Sequence, residues 1–259
     1  MRIRTLQGAL IGAVAAVLLA ATLPAVAANA DQPPRPPKPT IVLVHGAWAD
    51  SSSWSPVIER LRRDGYPVRA IANPLQGLTS DTAYLNSYLA SIEGPKVLVG
   101  HSYGGAVITN AATSAHDVKS LVYIAAFIPA EGETIGGLTE GSDLPLLYTE
   151  VPGGVDVAID PAHFREVFAG DLGRTAAADL AITQRPANSR TVLEPSAEEG
   201  FRTIPSWALL TRQDHAISPD LQRMMTTRAN AHTTEVDASH AVMLSRPGAV
   251  TEVIERAAR

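Results

Sequence analysis

The most informative stretch of the chain reads Lys96-Val97-Leu98-Val99-Gly100-His101-Ser102-Tyr103-Gly104-Gly105. Its first four residues form a mostly apolar run, which predicts a buried strand, and the small apolar residues from Tyr103 to about Ser114 predict a buried helix. Ser102 lies in the turn between them, within a G-x-S-x-G pattern. Such a strand–turn–helix strains the serine backbone and projects its hydroxyl at the carboxyl end of the strand. We therefore interpret Ser102 as a candidate nucleophile; the alternative is a chance serine in a glycine-flanked turn.

Strand and helix patterns alternate on both sides of this stretch. Short β-branched or apolar runs predict strands at Thr40–Val44, Val68–Ala72, Lys96–Val99, Ser120–Ala125, Ser206–Thr211 and Thr233–Asp237. Helical patterns with stop or start signals predict helices at Pro56–Asp64, Ser80–Ile92, Pro219–Ala229 and Pro247–Ala258. Ser218 is typical of the N-cap of the third of these helices. Because short connections between alternating strands and helices build parallel sheets, we predict an α/β fold with a mostly parallel sheet and helices on both faces.

The alternation breaks at Phe127. From Pro129 to about Thr203 the content of proline, glycine and acidic residues rises and strand signals vanish. Only Ala162–Phe168 and Thr175–Ile182 look like short helices there. We predict that residues 129–203 form a cap inserted into a sheet domain that spans residues 40–259.

The first residues are typical of a targeting segment. Arg2 and Arg4 precede an uncharged apolar run that ends at Pro24, and small-x-small triplets follow. This pattern predicts a secretory signal peptide over residues 1–30, and therefore a secreted protein, extracellular or periplasmic. The alternative is a membrane anchor, but the run is short for a spanning helix. Residues 31–39 hold five prolines and predict an extended linker.

The composition excludes several classes of function. The chain has 259 residues, of which 46% are hydrophobic and 18% charged, so it is not a wholly disordered protein. It has no cysteine, which excludes disulfides, a thiol nucleophile and thiolate metal sites. Its net charge of -5 offers no electrostatic footprint for nucleic acid. The seven histidines show no spacing typical of a metal site.

A serine hydroxyl is a weak nucleophile and needs a base. His240 lies just past the last predicted strand, at the carboxyl end where Ser102 is expected. His232 is the alternative, but it precedes that strand and would lie at the opposite end of the sheet. We therefore predict that His240 is the base, against the plainer interpretation of a capping or surface histidine.

The base in turn needs a carboxylate that fixes its tautomer and stabilises the imidazolium. Asp214 comes directly after the predicted strand Ser206–Thr211, so it should reach the same edge of the sheet. Glu131 and Glu133 follow the preceding strand and are the alternatives. Asp237 is interpreted as the end of the last strand. We predict Asp214 as the acid.

A tetrahedral oxyanion needs two backbone donors, one from the residue after the nucleophile and one from the loop after the first strand. These are the amides of Tyr103 and, in His45-Gly46-Ala47-Trp48, of Ala47. We expect His45 to shape this loop rather than to titrate. Candidate substrate-binding walls, each of which could equally be core, are Trp48, Trp54, Tyr103, Phe127, Leu146, Leu147, Tyr148 and Phe164.

Together these segments resemble a known family. The motifs Val42–Trp48, Gly100–Gly105 and Ser239–Pro247, with Ala125–Pro129, are similar to the α/β-hydrolase superfamily, and within it to the branch of small plant methyl esterases, hydroxynitrile lyases and bacterial esterases. The resemblance covers roughly residues 40–256. It implies a Ser-His-Asp triad, no cofactor and a small cap.

Two departures refine this resemblance. The lyases of the branch carry a threonine where this chain has Gly46 and a lysine where it has Ala241, so the chain favours ester hydrolysis. Many superfamily members begin with two further strands, whereas only the linker precedes Thr40, so we expect about six strands. The resulting hypothesis is a secreted serine hydrolase that cleaves small carboxylic esters through an acyl-enzyme. Its expected partner is a small-molecule ester, with neither nucleic acid nor a stable membrane anchor.

That hypothesis has two rivals. One is a lyase or carbon–carbon hydrolase that uses the same triad. The other is a ligand-binding receptor on a hydrolase scaffold, although a binder has no need of all three triad groups.

Overall fold

The computed structural model describes residues 37–259, and within them it contains nine strands and ten α-helices. The strands are β1 (Thr40–Val44), β2 (Val68–Ile71), β3 (Lys96–His101), β4 (Val118–Ile124), β5 (Leu146–Val151), β6 (Gly154–Ile159), β7 (Ala187–Asn188), β8 (Ser206–Thr211) and β9 (His232–Val236). The helices are α1 (Ser55–Arg63), α2 (Leu78–Ala90), α3 (Tyr103–Ala111), α4 (Ile135–Leu138), α5 (Phe164–Phe168), α6 (Arg174–Thr183), α7 (Arg190–Leu193), α8 (Pro219–Arg228), α9 (Val242–Ser245) and α10 (Pro247–Ala257). The predicted signal peptide (residues 1–30) and most of the predicted linker (residues 31–39) lie outside the described residues.

Six strands form the central sheet, in the order β2-β1-β3-β4-β8-β9, and every neighbouring pair is parallel. These are the six strands that the sequence predicts, with bounds that differ by one or two residues at most ends. Ser218 caps α8 as expected, because its hydroxyl accepts a hydrogen bond from the Leu221 amide at 3.2 Å. The predicted α/β fold with about six parallel strands is confirmed.

The sheet is buried on both faces because its strands are apolar at consecutive positions. On β1, Ile41 and Leu43 pack into one hydrophobic cluster with α1 and α10. Their neighbours Val42 and Val44 pack into the other, with α2, α3 and α8. The helices therefore cover the two faces of the sheet in two groups, and the sheet forms the middle layer.

The segment between β4 and β8 forms a separate, smaller layer. The strands β5, β6 and β7 build an antiparallel sheet, and α4 to α7 surround it. The expectation that strands are absent here is wrong. Only two of the six residues of β5 are even partly buried, so this strand lacks a continuous apolar run. The two predicted helices are present as α5 and α6.

A turn signal for this second sheet was nevertheless present in the sequence. Pro152 and Gly153 connect β5 to β6, and Val151 pairs with Gly154 across the turn. Gly153 has φ of 100°, a backbone conformation that favours glycine. Proline followed by glycine is typical of a tight turn, so the hairpin could have been inferred from these two residues.

Candidate active site

The carboxyl ends of the parallel strands bring four loops to one edge of the sheet. Ala47 follows β1, Ser102 follows β3, Asp214 follows β8 and His240 follows β9. The four predicted positions therefore share the edge at which ligands bind in open α/β sheets. His232, the alternative base, is the first residue of β9 and lies at the opposite edge, paired with Trp207.

Ser102 occupies a strained turn between β3 and α3. Its backbone has φ of 53° and ψ of -125°, which is costly for a residue with a side chain. The turn is tight enough that a Cβ on Gly100 would lie 2.5 Å from the Gly104 carbonyl oxygen. The two glycines of the motif are thus required by the close approach of the chain to itself.

His240 and Asp214 form a fully buried pair. Nδ1 of His240 lies 2.8 Å from Oδ2 of Asp214, and both side chains are inaccessible to solvent. Because an ionised carboxylate only accepts hydrogen bonds, Nδ1 carries the proton and Nε2 keeps its lone pair. That Nε2 is buried and has no hydrogen-bond partner among residues 37–259. The imidazole is therefore oriented by the carboxylate and presents an available acceptor.

The residue before the serine connects the Ser102 turn to the His240 loop. Nε2 of His101 lies 3.0 Å from the carbonyl oxygen of His240, so this nitrogen donates. The two imidazole rings lie 4.6 Å apart between centroids. Complete burial lowers the pKa of His101 well below its usual value, so the ring is neutral. His101 thus ties the main chain of the His240 loop to the end of β3, one residue before Ser102.

Four further groups hold the carboxylate of Asp214. Its Oδ1 accepts from the amides of Ala216 and Ile217, each at 2.9 Å. Its Oδ2 accepts from the Thr211 hydroxyl at 2.8 Å and from Nε2 of Gln222 at 3.0 Å, in addition to His240. These hydrogen bonds fix the carboxylate in the orientation that the imidazole needs.

Sequence analysis missed Thr211 and Gln222. Gln222 is buried on α8, where its side chain also donates to the Ile217 carbonyl and accepts from the Thr211 amide. The available signal was weak: a polar residue at a core-facing position of a predicted helix, one turn after the N-cap Ser218. Nothing in the local pattern says that this amide reaches Asp214.

The loop after β1 packs closely against the Ser102 turn. A Cβ on Gly46 would lie 2.6 Å from the Cβ of Ser102 and 3.1 Å from the Tyr103 amide nitrogen. This close approach brings the backbone of the loop next to the Tyr103 amide, which is a first-turn N–H of α3 and has no partner within the helix. The geometry suits two backbone donors converging on one space above Ser102.

His45 fixes that loop. Its Nδ1 donates to the Gly46 carbonyl at 2.9 Å and its Nε2 accepts from the Asn73 amide at 3.0 Å. The Asn73 side chain donates back to the His45 carbonyl. Burial lowers the pKa of His45, which keeps the ring in the neutral form that this pattern requires.

Tyr103 is fixed by its side chain as well. Its hydroxyl donates to Oδ2 of the buried Asp81 at 2.8 Å. Burial raises the pKa of the Tyr103 phenol well above its usual value and also raises the pKa of Asp81. The pair tethers α3 to the start of α2.

The alternative acids are engaged elsewhere. Glu133 forms a bidentate ion pair with Arg228, at 2.6 and 2.7 Å, and this partner lowers the pKa of the carboxyl. The amide of Glu131, an exposed residue, donates to a carboxylate oxygen of Glu199. Neither reaches His240, whose carboxylate partner is Asp214.

The cap contacts two of the loops that carry candidate site residues. The indole nitrogen of Trp48 donates to the Val157 carbonyl of β6 at 3.0 Å. On the other side, the Ala241 amide donates to the Phe168 carbonyl at 2.9 Å, and the Phe168 ring packs edge-on against His240 at 4.9 Å between centroids. The cap therefore braces the loop after β1 and the loop after β9.

A cavity of about 470 Å³ lies between the sheet edge and the cap. Ala47, Ser102 and Tyr103 form its floor. Of the predicted walls, Trp48, Phe127, Leu146 and Tyr148 line it, and sequence analysis missed Ile135, Leu144, Val192, Leu193 and Ile217.

Three predicted walls are corrected, because Trp54, Phe164 and Leu147 do not line this cavity. Leu147 is an exposed residue of β5 next to Tyr148, and successive residues of a strand point to opposite faces. Trp54 is completely buried in the core beneath α1 and α10, with its ring edge-on to His101. Phe164 is buried inside the cap, against Phe168. Both aromatic rings support residues of the site from behind. Their size and apolarity are compatible with either position, so the sequence did not distinguish a wall from a core residue.

Two further properties concern residues 37–259. No group of three His, Asp or Glu side chains in this part of the chain is arranged to hold a metal ion. No helix in the same residues combines the length and apolarity that a membrane span requires.

The sequence model of the alpha/beta hydrolase family matches residues 41–253. The chain belongs to this family. It is 31% identical over 245 residues to a pyrethroid hydrolase from Sphingobium wenxiniae, covering 83% of this chain and 85% of the relative. The family membership and this relative make the protein an enzyme of the hydrolase class.

Solved structures with the same fold include plant methylesterases, as the resemblance implied. The structure of polyneuridine aldehyde esterase superposes with a TM-score of 0.71 at 18% identity, covering 85% of this chain and 98% of that one. A methylesterase from Arabidopsis gives the same TM-score, identity and coverage. At this identity the likeness supports the fold alone.

Proposed function

We propose that the protein is a serine carboxylic-ester hydrolase that acts through an acyl-enzyme. The observation that carries the proposal is the buried Asp214–His240 pair, whose free Nε2 belongs to a loop held against the strained Ser102 turn by His101. This is the arrangement that a serine nucleophile needs: a base oriented by a carboxylate.

In the first half-reaction, the Ser102 hydroxyl attacks the ester carbonyl while Nε2 of His240 takes its proton. Asp214 stabilises the imidazolium that forms. The amides of Ala47 and Tyr103 donate to the oxyanion of the tetrahedral intermediate; each such donor is worth about a hundred- to thousandfold in rate. His240 then returns the proton to the alkoxide, so the alcohol leaves neutral and Ser102 is acylated.

In the second half-reaction, water attacks the acyl-enzyme. His240 takes a proton from the water, the same amides hold the second oxyanion, and the bond to the Ser102 oxygen breaks. The proton returns to that oxygen, the carboxylic acid leaves and the enzyme is restored. Atoms and charges balance without a cofactor.

Ester hydrolysis is favoured over lyase chemistry by the loop after β1. A threonine at position 46 would place its Cβ 2.6 Å from the Cβ of Ser102, so this turn has no room for it. Position 241 carries alanine instead of lysine. The similarity to a pyrethroid hydrolase supports the same choice. The cavity of about 470 Å³ is of the size that small-molecule substrates occupy.

The proposal is tested with 4-nitrophenyl esters, cyanohydrins and a fluorophosphonate probe. We expect ester hydrolysis and stoichiometric labelling by the probe. Ser102→Ala should lose labelling and lower kcat by about a thousandfold or more, because the covalent route is removed. Ser87→Ala, at an exposed serine of α2, is the matched control and should change neither. Unchanged ester turnover in Ser102→Ala, or cleavage of cyanohydrins alone, contradicts the proposal.

We also propose that the protein is exported. The support is the sequence of residues 1–30 alone, with its basic start, apolar run and small-residue triplets. Export predicts a mature protein that begins near Asp31 and is found outside the cytoplasm. N-terminal sequencing of the fractionated protein checks this, and an intact Met1 in the cytoplasmic fraction contradicts it.

A further inference from the structure

Among the described residues, the lining of the active-site cavity contains one charged residue, and it is acidic. Most of the described residues that line it are apolar, and several others carry hydroxyl groups, including Ser142, Ser189 and Thr191. Asp143 is the only acidic side chain among these lining residues, and none of them is lysine, arginine or histidine. The only charged residue of this described lining is therefore acidic, and no cationic residue of the lining compensates it.

The charge of Asp143 is not neutralised by a neighbour. It is an exposed residue of the cap, and none of the ion pairs formed within residues 37–259 includes it. Its sequence neighbours Ser142 and Leu144 also line the cavity. The carboxylate is thus available to a ligand.

The two cap arginines nearest in sequence to the cavity walls are held outside the lining. Arg190 lies between Ser189 and Thr191, but its Nε donates to the Asn188 side chain. The guanidinium of Arg185 donates to the Pro74 carbonyl. Neither residue lines the cavity, so neither stands where it would pair directly with an anionic substrate.

The cavity also offers an exposed aromatic surface. Tyr148 lines it while 68% exposed, and so does Leu193 at 65%. An aromatic ring face attracts ammonium groups, and an apolar wall tolerates neutral ones. A carboxylate that entered would lose hydration without gaining a charged partner.

We propose that this cavity selects esters by charge: it accepts those whose remote end is neutral or cationic and disfavours those whose remote end is anionic, with Asp143 as the specificity-determining residue. The inference rests on the proposed function, because it concerns which esters reach Ser102. The reacting carbonyl is the same in every case, so the discrimination acts on substrate binding.

The test uses three 4-nitrophenyl esters with the same five-methylene chain. The acyl groups are 7,7-dimethyloctanoyl, 6-(trimethylammonio)hexanoyl and the monoacyl group of pimelic acid, which end in a neutral, a cationic and an anionic group. We expect kcat/KM for the cationic ester to exceed that for the anionic ester by about fivefold to tenfold at low salt, with the difference mainly in KM. Raising the salt to about 0.5 M should shrink this ratio, because exposed charges are screened.

Variants separate the role of Asp143 from the general charge of the protein. Asp143→Asn should bring the ratio to within about twofold of unity, and Asp143→Lys should invert it. Glu140→Gln changes the net charge by the same amount as Asp143→Asn, at an exposed cap residue outside the lining, and should leave the ratio unchanged. Ser102→Ala supplies the background rate for each ester.

The outcomes are distinguishable. Equal kcat/KM values for the three esters in the wild type, or a ratio that Asp143→Asn leaves intact, overturn the charge selection while Ser102-dependent hydrolysis of the neutral ester still supports the proposed function. If none of the three esters is hydrolysed faster than in Ser102→Ala, the proposed function fails instead.

Discussion

The central sheet and the cap differ in how deeply their strands are buried. Every residue of β3 is buried, and Val97, Leu98 and Val99 alternate between two hydrophobic clusters. In β5 four of six residues are exposed, including Tyr148, which faces the cavity. The sheet is held by apolar packing on both faces, whereas the cap strand lies over the site with one face open. A strand that is buried on both faces can be recognised in the sequence by its run of apolar residues, whereas a half-exposed strand cannot.

The candidate active site shows the same difference in burial between its core loops and its cap residues. Core loops supply the serine, the histidine and the carboxylate, each held by buried hydrogen bonds such as that between His101 and the His240 carbonyl. The cap supplies most of the walls, and some of these, such as Leu193, are largely exposed. We infer that chemistry depends on the core loops and selectivity on the cap. Changes in the two regions should therefore affect different kinetic parameters.

Among variants that leave the three candidate catalytic side chains in place, the largest effect is expected where the loop after β1 meets the serine turn. In Gly46→Ala the new Cβ would meet the Cβ of Ser102 at 2.6 Å and the His101 carbonyl oxygen at 2.8 Å, so the loop or the turn must move. We expect kcat/KM to fall about a hundredfold, because a shift of this size misplaces the reacting groups. Gly173→Ala is the control in the cap, since its Cβ would meet nothing within 4 Å. Equal kinetics in the two variants would break the comparison.

An intermediate loss of activity is expected when a side chain that holds Asp214 in place is replaced. Gln222→Leu removes a donor to the carboxylate and leaves the Thr211 amide and the Ile217 carbonyl without this partner. We expect kcat to fall about tenfold with KM little changed, and the free energy of unfolding to fall by about 1–3 kcal/mol.

Thr226→Val is the matched variant for that test. Thr226 is buried on the same helix, and its hydroxyl donates only to helix carbonyls. It should lower the free energy of unfolding without lowering kcat. Denaturant unfolding and steady-state kinetics measure both quantities. A proportional loss of kcat in both variants would mean that Gln222 acts through stability alone.

The smallest effect is expected in the cap. Tyr148→Ala should raise KM several-fold for bulky apolar esters and leave kcat unchanged, because Tyr148 touches the substrate space and no catalytic group. Since its side chain is mostly exposed, the free energy of unfolding should change by less than about 0.5 kcal/mol. Leu147→Ala, exposed at the next position but outside the lining, should change neither parameter. A large fall in kcat for Tyr148→Ala would contradict the division between core and cap.

Local pattern predicted the fold well and the site in part. The six strands of the sheet follow from short apolar runs, and the positions of Ser102, Asp214 and His240 follow from where those strands end. The wall residues are divided: Trp48, Phe127 and Tyr148 line the cavity, whereas Trp54 and Phe164 are packed behind it. An aromatic residue is apolar in either place, so its type does not reveal which side of a wall it occupies.

The amino-acid sequence alone was sufficient to locate the strands of the sheet, the strained serine turn and the order of the candidate catalytic residues. These depend on neighbours within a few residues: runs of apolar side chains, glycines that permit close approach, and the side on which a strand ends. The tertiary structure decided the rest. It brings Gln222 to Asp214 and ties His101 to the His240 loop. It also makes Asp143 the only charged residue among the described residues that line the cavity. Contacts between residues far apart in the chain depend on how the layers pack, and no local pattern records that packing.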